Sequence, residues 1–272
     1  LLLDPLLILG VGPFPRIEVA GAAVATVSAQ FVVMFVMMVG VFRSKKEENV
    51  LKGIRLFEPF SKEELGNICK IGGPTAIQGM VYCMISMVLT RMVAAFGAEA
   101  IATQRVGGQI ESVSWNTADG FAAALNAFVG QNYGAKKMDR VQKGYRISFW
   151  TVAIWGALIM LAFIIFPGPI AGVFFHQEKA MEIAISYLII IGFSEAFMCV
   201  ELMTIGALSG LGKTKLCSVI SITATSMRIP LAMVLSRTSL GLDGIWWALT
   251  LTSVAKGIIF YLTFRYQMRE KC

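Results

Sequence analysis

The chain has 272 residues, of which 56% are apolar and 15% are charged, and its mean hydropathy is +0.70. This apolar content exceeds that of an ordinary soluble domain and indicates an integral membrane protein. The formal net charge of +7 falls mainly in the loops between hydrophobic segments, so it is a signal of membrane topology and does not point to a nucleic-acid partner.

Seven hydrophobic segments are long enough to cross a bilayer core of about 30 Å as helices of roughly 20 residues. Because backbone groups in lipid have to be bonded internally, such segments form helices unless they close into a barrel. We therefore predict an all-α integral membrane fold, a polytopic transmembrane helix bundle in contact with the lipid bilayer. In chain order the predicted spans are 19–42, 71–90, 101–130, 147–175, 183–206, 216–236 and 244–264, and residues 1–11 resemble the end of an eighth.

The basic residues alternate between the loops. Sixteen Lys and Arg residues lie in one set of connections, namely 43–62, 136–146, 213–215 and 265–271, whereas the opposite set holds Arg16, Lys179 and Arg237. The positive-inside rule assigns the richer set to the cytoplasm. We predict a multi-pass protein of the plasma membrane with a cytoplasmic C-terminus.

The chain begins with Leu1, part-way into a hydrophobic segment, so we expect it to be a piece of a longer protein. Residues 4–26 and 228–250 share a Pro-Leu helix end, a short loop and a Gly-x-x-x-Ala start of the next span. Transporters commonly consist of two such structural repeats. We predict that residues 1–42 are the last one to two helices of an N-terminal lobe. Residues 43–67 are then a cytoplasmic interlobe linker, and residues 68–272 a C-terminal six-helix lobe with a short basic cytoplasmic tail.

Two carboxylates, Glu111 and Asp119, lie inside the third predicted span. An Asp at the bilayer centre costs about 2.5–3.5 kcal/mol on insertion scales, so such groups usually pair with a partner or bind a ligand. Glu111 shares a helical stripe with Gln104, Trp115 and the small residues at positions 108, 118 and 122, which suits a water-accessible cavity. Both acids are candidates to bind a coupling ion or substrate. The alternative is structural pairing with a base in or near the spans: Arg91, Arg105, Arg228 or Lys256.

Glu195 and Glu201 are two further acids, in the fifth predicted span. They are six residues apart and so cannot share one face of a helix. One of them is expected to face a cavity while the other pairs, with Arg228 as a possible partner; internal pairing is favoured for this span. The predicted cavity-lining side chains are Tyr82, Gln104, Trp115 and Asn116.

Enzyme and metal motifs are not found in the sequence. The five cysteines show no CxxC spacing, and the single His176 cannot form a metal site by itself. We expect no catalytic residues, no cofactor, and no metal beyond Na⁺ at a buried carboxylate. Gly72-Gly73-Pro74 is predicted to end a helix, whereas Pro230 is predicted to act as a hinge within one.

Three stretches, taken together, resemble the multidrug and toxic compound extrusion (MATE) family. They are LDPLLILGVGPFP…VAGAAVATVSAQ, FGAEAIATQRVGGQIESV…AFVGQNYGA and IGALSGLGKTK…RIPLAMVLS…GLDGIWWAL…KGIIFYLTFRY, in the order and spacing of the family. The resemblance implies a two-lobed, pseudo-symmetric antiporter that exports organic, often cationic, compounds in exchange for Na⁺ or H⁺. It also implies that the N-terminal lobe of the same chain is missing.

Two family positions differ here. A coupling Glu of one branch, eight residues after the proline, corresponds to Tyr82, and a cavity Asp corresponds to Met198. The resemblance thus implies a secondary-active exporter of small organic cations without assigning its coupling site. Two alternatives remain open: a lipid-linked oligosaccharide flippase of the same superfamily, which needs a larger and more cationic cavity, and a non-transporting membrane scaffold subunit, in which every span charge is paired.

Overall fold

The computed structural model describes residues 18–43 and 61–269, and every regular element in these two ranges is an α-helix. The first 17 residues, most of the predicted linker (44–60) and residues 270–272 of the predicted tail lie outside the described residues. The prediction of an all-α fold is confirmed. In chain order the helices are α1 Glu18–Arg43, α2 Lys62–Ala94, α3 Ala98–Gly134, α4 Met138–Ile165, α5 Pro167–Gly172, α6 Glu178–Gly192, α7 Glu195–Gly210, α8 Thr214–Ser226, α9 Arg228–Leu235 and α10 Leu242–Arg269.

The chain divides into two units, Leu1–Ser61 and Lys62–Cys272. Within the first unit, α1 covers the first predicted span and exposes large apolar side chains along its length, among them Phe31, Phe35 and Met37. A helix with large apolar side chains exposed along its length suits lipid or another helix as its surroundings.

The length and composition of the helices agree with an integral membrane protein. Within residues 18–43 and 61–269, five helical segments are long and apolar enough to cross a bilayer: α1, α2, α4, the α8–α9 pair and α10. A sixth span results if α6 and α7, which are bent by 50° at their break, are counted together. The third predicted span lies within α3, which is 37 residues long but is more polar than these five segments.

Two predicted helix boundaries were wrong. Gly72-Gly73-Pro74 does not end a helix, because α2 continues through Pro74. A proline removes one backbone donor, and membrane helices tolerate this where neighbouring groups bond the freed carbonyl. The predicted span 147–175 ends early, at Ile165, because Pro167 opens the separate short helix α5.

The core of the second unit is built on a close contact between α3 and α7. A methyl group added to Gly206 would clash with the backbone carbonyl of Ala122, and one on Gly210 would lie 2.6 Å from the carbonyl oxygen of Asn126. Gly206 and Gly210 are four residues apart and therefore lie on one face of α7. Small residues at this spacing let two helix backbones approach closely, which is how helices associate in lipid.

We predict that Gly206→Ala destabilises the protein by about 1–3 kcal/mol, because the new methyl group has to push the two backbones apart. Thermal unfolding in detergent measures the effect. Gly130→Ala is the matched control at the same interface, where an added methyl would meet its nearest neighbour, the Gly210 carbonyl oxygen, at 3.7 Å. Equal melting temperatures for the two variants would contradict the role of the close contact.

Candidate functional site

A cavity of about 290 Å³, which we call the polar cavity, lies between helices α2, α3, α7, α8, α9 and α10 of the second unit. Its aliphatic lining comes mainly from α7. Five of the residues predicted from the sequence meet there from five different helices: Tyr82, Trp115, Glu201, Arg228 and Lys256. The polar and aromatic side chains that line it include Gln78, Tyr82, Trp115, Glu201, Arg228 and Lys256.

Glu201 and Lys256 form an ion pair at one wall of the polar cavity. The Lys256 Nζ donates to Glu201 Oε1 at 2.8 Å, and the two side chains are only 8% and 7% exposed. This is the pairing alternative for Glu201, with Lys256 of α10 as the partner in place of Arg228. Because the two charges are buried together, each of them relieves the desolvation cost of the other.

Arg228 is the second cation of the cavity, and its partners are neutral. Its Nε donates to the Thr252 hydroxyl at 3.0 Å and its Nη2 to the Ser253 hydroxyl at 2.9 Å. The residue is the first of α9, at the break after α8, and is 9% exposed. Pro230 lies in the first turn of α9, so the interruption predicted near this proline lies just before it, at Met227.

Glu111 accepts a hydrogen bond from the hydroxyl of Tyr187, which lies on α6. The Tyr187 ring packs on Gly107, where any larger residue would clash with it, and makes an edge contact with Trp246 at 5.0 Å between ring centroids. Tyr187 is not among the site residues predicted from the sequence. A tyrosine at the edge of an apolar run is more typical of an interfacial anchor than of a partner for an acid 76 residues away.

Glu195 is the most deeply buried acid of the described residues. It is 1% exposed, and neither of its carboxylate oxygens has an ion-pair partner or a hydrogen bond of full geometry in the described part of the chain, although the Ser114 hydroxyl is close enough to interact with it. It is the first residue of α7, directly after the 50° bend. The nearby Ser114 hydroxyl is bonded to the Cys199 sulfur at 3.3 Å. An ionised carboxylate without a partner is unfavourable at such a position, so the group is suited to hold a proton or a cation.

Five charged side chains of the second unit form one electrostatic cluster: Glu111, Glu195, Glu201, Arg228 and Lys256. Glu111 is close enough to interact with Glu195 through like-charge repulsion and with Arg228 through attraction. Arg228 also interacts with Lys256, which bonds Glu201. A proton or cation bound at either acid therefore changes the electrostatic environment of the polar cavity.

The remaining predicted residues lie elsewhere. Asp119 and Asn116 are exposed on α3, and Asp119 makes no ion pair with any described residue. Arg91 and Arg105 line a separate cavity with Tyr82 and form no ion pair within residues 61–269, so the structure does not bear out their predicted pairing. Gln104 is half-buried.

The predicted water-accessible stripe of α3 is split by packing. Ala118 is fully buried and Ala122 nearly so, and Ala122 lies in the close contact with α7. Trp115 is half-exposed and lines the polar cavity, and Glu111 is partly buried beside it. The helical period correctly placed these side chains on one stripe, but the small residues of the stripe are covered by a neighbouring helix.

Comparison with known proteins decides the family. The MatE family model matches residues 74–234, which is more than half of the chain. The chain belongs to the MatE family. A MatE relative from Thermotoga maritima, named probable multidrug resistance protein NorM, is 29% identical over 98% of this chain and 58% of its own length. A protein of Shewanella oneidensis named FAD transporter is 26% identical over 96% of the chain and 57% of its own length.

The fold agrees with solved MATE structures. The Vibrio cholerae MATE transporter VcmN in its bent form matches with a TM-score of 0.79 at 20% identity, covering 99% of this chain and 60% of that one. The named relatives are transporters and not enzymes. The chain spans less than two thirds of the length of these relatives.

We predict that Glu201→Gln destabilises the protein by about 3–5 kcal/mol, because it leaves the Lys256 ammonium group buried without a carboxylate. The combined variant Glu201→Leu with Lys256→Met removes both charges and should recover most of this loss. Thermal unfolding in detergent checks both variants. A Glu201→Gln protein as stable as the wild type would contradict the buried ion pair.

Proposed function

We propose that the chain is the C-terminal lobe and interlobe linker of a secondary-active MATE exporter, with residues 1–42 as the last helices of the N-terminal lobe. The complete transporter exports organic compounds, of which small organic cations are the predicted class, in exchange for Na⁺ or H⁺. It lies in the plasma membrane with the linker and the C-terminus in the cytoplasm. The missing lobe of the same chain is its principal protein partner.

The observation that carries this proposal is Glu195, a fully buried carboxyl group whose oxygens have no ion-pair partner or hydrogen bond of full geometry in the described residues, beside a second acid, Glu111. Ionisable residues kept inside a membrane helix bundle at such a cost mark ion or substrate pathways. A carboxyl group can hold a proton or a monovalent cation in turn, which is the chemistry an antiporter needs.

The mechanism follows from this placement. Binding of H⁺ or Na⁺ at the Glu111–Glu195 pair removes negative charge near the polar cavity and weakens its attraction for a cationic cargo. Release of the ion restores that attraction. A ligand shifts a conformational equilibrium only through its different affinity for the two states. Glu195 is the first residue of α7, directly after the bend between α6 and α7, so a change in its charge alters the electrostatic field at the bend. Rocking of the two lobes around the cavity completes the cycle.

Two structural features favour a transporter over the alternative of a scaffold subunit. A scaffold is expected to pair every span charge and to leave no open cavity, whereas Glu195 has no ion-pair partner among the described residues and the polar cavity has a volume of about 290 Å³. A flippase for lipid-linked oligosaccharides is expected to need a larger cavity than the polar cavity of the second unit.

We predict that Glu195→Gln and Glu111→Gln each reduce ion-driven export by the complete transporter to less than about a tenth of the wild-type rate, because an amide cannot exchange a proton or neutralise a bound cation. The measurement is efflux of a fluorescent organic cation from vesicles under an imposed H⁺ gradient, an imposed Na⁺ gradient, or neither. The gradient that drives export in the wild type identifies the coupling ion.

Glu99→Gln is the matched control, since Glu99 is a partly exposed acid that is paired with Lys179 and lies about three helical turns before Glu111 on α3. This variant should export at the wild-type rate. Unchanged export by both Glu111→Gln and Glu195→Gln, at normal levels in the membrane, would remove these acids from the coupling mechanism.

A specific observation favours a second candidate cargo, an organic anion. Among the described residues, the polar cavity is lined by two cations, Arg228 and Lys256, and by one acid, Glu201, which is already paired. Arg228 has neutral hydroxyl partners among the described residues, which leaves its charge uncompensated by direct contact. One relative is named FAD transporter, and FAD contains an anionic diphosphate group. A planar guanidinium group is well suited to carboxylate or phosphate.

For this candidate we predict that Arg228→Gln weakens the apparent affinity for an anionic dye by about tenfold or more, the loss expected for one charge-assisted hydrogen bond. Arg228→Lys keeps the charge and should lose less. The two variants are compared in competition assays with an anionic and a cationic dye of similar size. An equal effect of Arg228→Gln on both dyes would assign Arg228 to structure and leave cationic compounds as the cargo.

A further inference from the structure

A second polar concavity lies away from the polar cavity, on the outside of the helix bundle. It has a volume of about 480 Å³ and lies between the first half of α4 and the last turns of α10. We call it the arginine pocket, and it shares no lining residue with the polar cavity. Its rim and walls are formed chiefly by Arg146, Phe149, Trp150, Tyr261, Arg265 and Arg269.

The three arginines give the pocket its charge. Arg146, Arg265 and Arg269 are all exposed, and none of them forms an ion pair with an acid in residues 61–269. The guanidinium carbon of Arg265 is 5.9 Å from the centroid of the Tyr261 ring, a cation–π contact that orients this side chain. Three guanidinium groups around one concavity offer the paired N–H donors that bind phosphate oxygens.

The interior of the pocket is mainly aromatic and apolar. The buried rings of Tyr145 and Phe264 stack at 3.6 Å between centroids, and Phe149 packs on Tyr261 at 5.2 Å. Trp150 stands at the rim and is 61% exposed. Aromatic rings with one apolar and one polar side are typical of the boundary between hydrocarbon and head groups.

An exposed apolar stripe continues from the pocket along α4. Its members follow one another at intervals of three or four residues, so they lie on one face of the helix. They are Ile147, Trp150, Ile154, Leu158 and Leu161, each of them more than half exposed. A ligand whose anionic part lies in the arginine pocket can therefore extend an apolar chain along the same face.

The end of the bundle that holds the pocket is strongly basic. The ends of α3, α7 and α10 meet the starts of α4 and α8 there. The stretches 130–146, 211–215 and 265–269 together contain nine Lys and Arg residues and one acid, Asp139. By the positive-inside rule this end faces the cytoplasm, where the leaflet carries anionic lipids.

We propose that the arginine pocket binds the phosphate head group of an anionic phospholipid in the cytoplasmic leaflet, with the acyl chains along the exposed stripe of α4. The arginines bind the phosphodiester, and the ring of Trp150 lies against the glycerol region. The apolar stripe favours a lipid over free phosphate, because free phosphate has no apolar chain that could contact the stripe. This inference does not depend on the proposed transport function.

The test uses the intact protein in a neutral detergent, with thermal unfolding followed as a short-chain phospholipid is added. Phosphatidylglycerol should raise the melting temperature at lower concentration than phosphatidylcholine. The combined variant Arg146→Gln, Arg265→Gln and Arg269→Gln should weaken the apparent affinity for phosphatidylglycerol on the order of 100-fold, since each basic residue near an anionic surface contributes roughly fivefold. All three side chains are exposed, so the variant should fold.

The matched control is Lys213→Gln with Lys215→Gln, which removes two charges from the same end of the bundle without touching the pocket. It should keep the preference for phosphatidylglycerol. An equal loss of affinity for phosphatidylglycerol in this control would show that the basic surface as a whole attracts the lipid, and it would overturn the proposal. Equal effects of the two lipids on the wild type, or full stabilisation by glycerol phosphate alone, would also overturn it.

Trp150→Ala is a second variant that leaves all charges in place. It should weaken binding of phosphatidylglycerol by about tenfold, because the aromatic contact that Trp150 makes with the bound lipid is lost. Wild-type affinity in this variant would show that charge alone holds the lipid and would contradict the proposed placement of the head group. Native mass spectrometry of the protein with its retained lipids gives an independent measure of the preference.

Discussion

The close approach of α3 and α7 is the constraint on which the second unit depends. In lipid, helices do not gain from burying apolar side chains against each other, so they associate where small residues let their backbones touch. Gly206 and Gly210 provide that surface on α7, and the backbone of α3 at Ala122 and Asn126 fills it. The contact holds α7 against α3, and so positions the acids of α7 beside the polar part of α3 that contains Glu111.

Within this frame the charges are treated in three different ways. Glu201 and Lys256 neutralise each other, Arg228 is held by two hydroxyl groups, and Glu195 is buried without an ion-pair partner among the described residues. The first arrangement is the least unfavourable and the third the most. The third arrangement lowers the stability of the helix bundle, so it is not expected in a bundle that has only a structural role. This cost distinguishes Glu195 from the other acids.

The sequence predicted the elements better than their partners. Hydropathy placed helices at all seven predicted spans, since apolar segments of this length have few other structures in a membrane. It did not predict that α2 continues through Pro74, because that depends on neighbouring groups. The helical period put Ala118 on the same stripe as Trp115, but it carries no information on which helix covers the stripe. The Tyr187–Glu111 bond and the choice of Lys256 for Glu201 join residues 76 and 55 positions apart, beyond the reach of any local pattern.

At the bend between α6 and α7 the regular helix is interrupted, and side-chain hydroxyl groups donate to carbonyl groups there. The Ile191 carbonyl accepts a hydrogen bond from the Ser194 hydroxyl at 2.8 Å and also one from the Ser194 backbone N–H at 2.9 Å. The Thr250 hydroxyl of α10 donates to the Ile190 carbonyl at 2.8 Å. This last bond fastens α10 to the bend. Straightening or closing the bend therefore requires either that this latch breaks or that α10 moves with it. In the second case Lys256, which lies less than two turns further along α10, moves relative to Glu201. A rotation at the bend then changes the geometry of the buried ion pair.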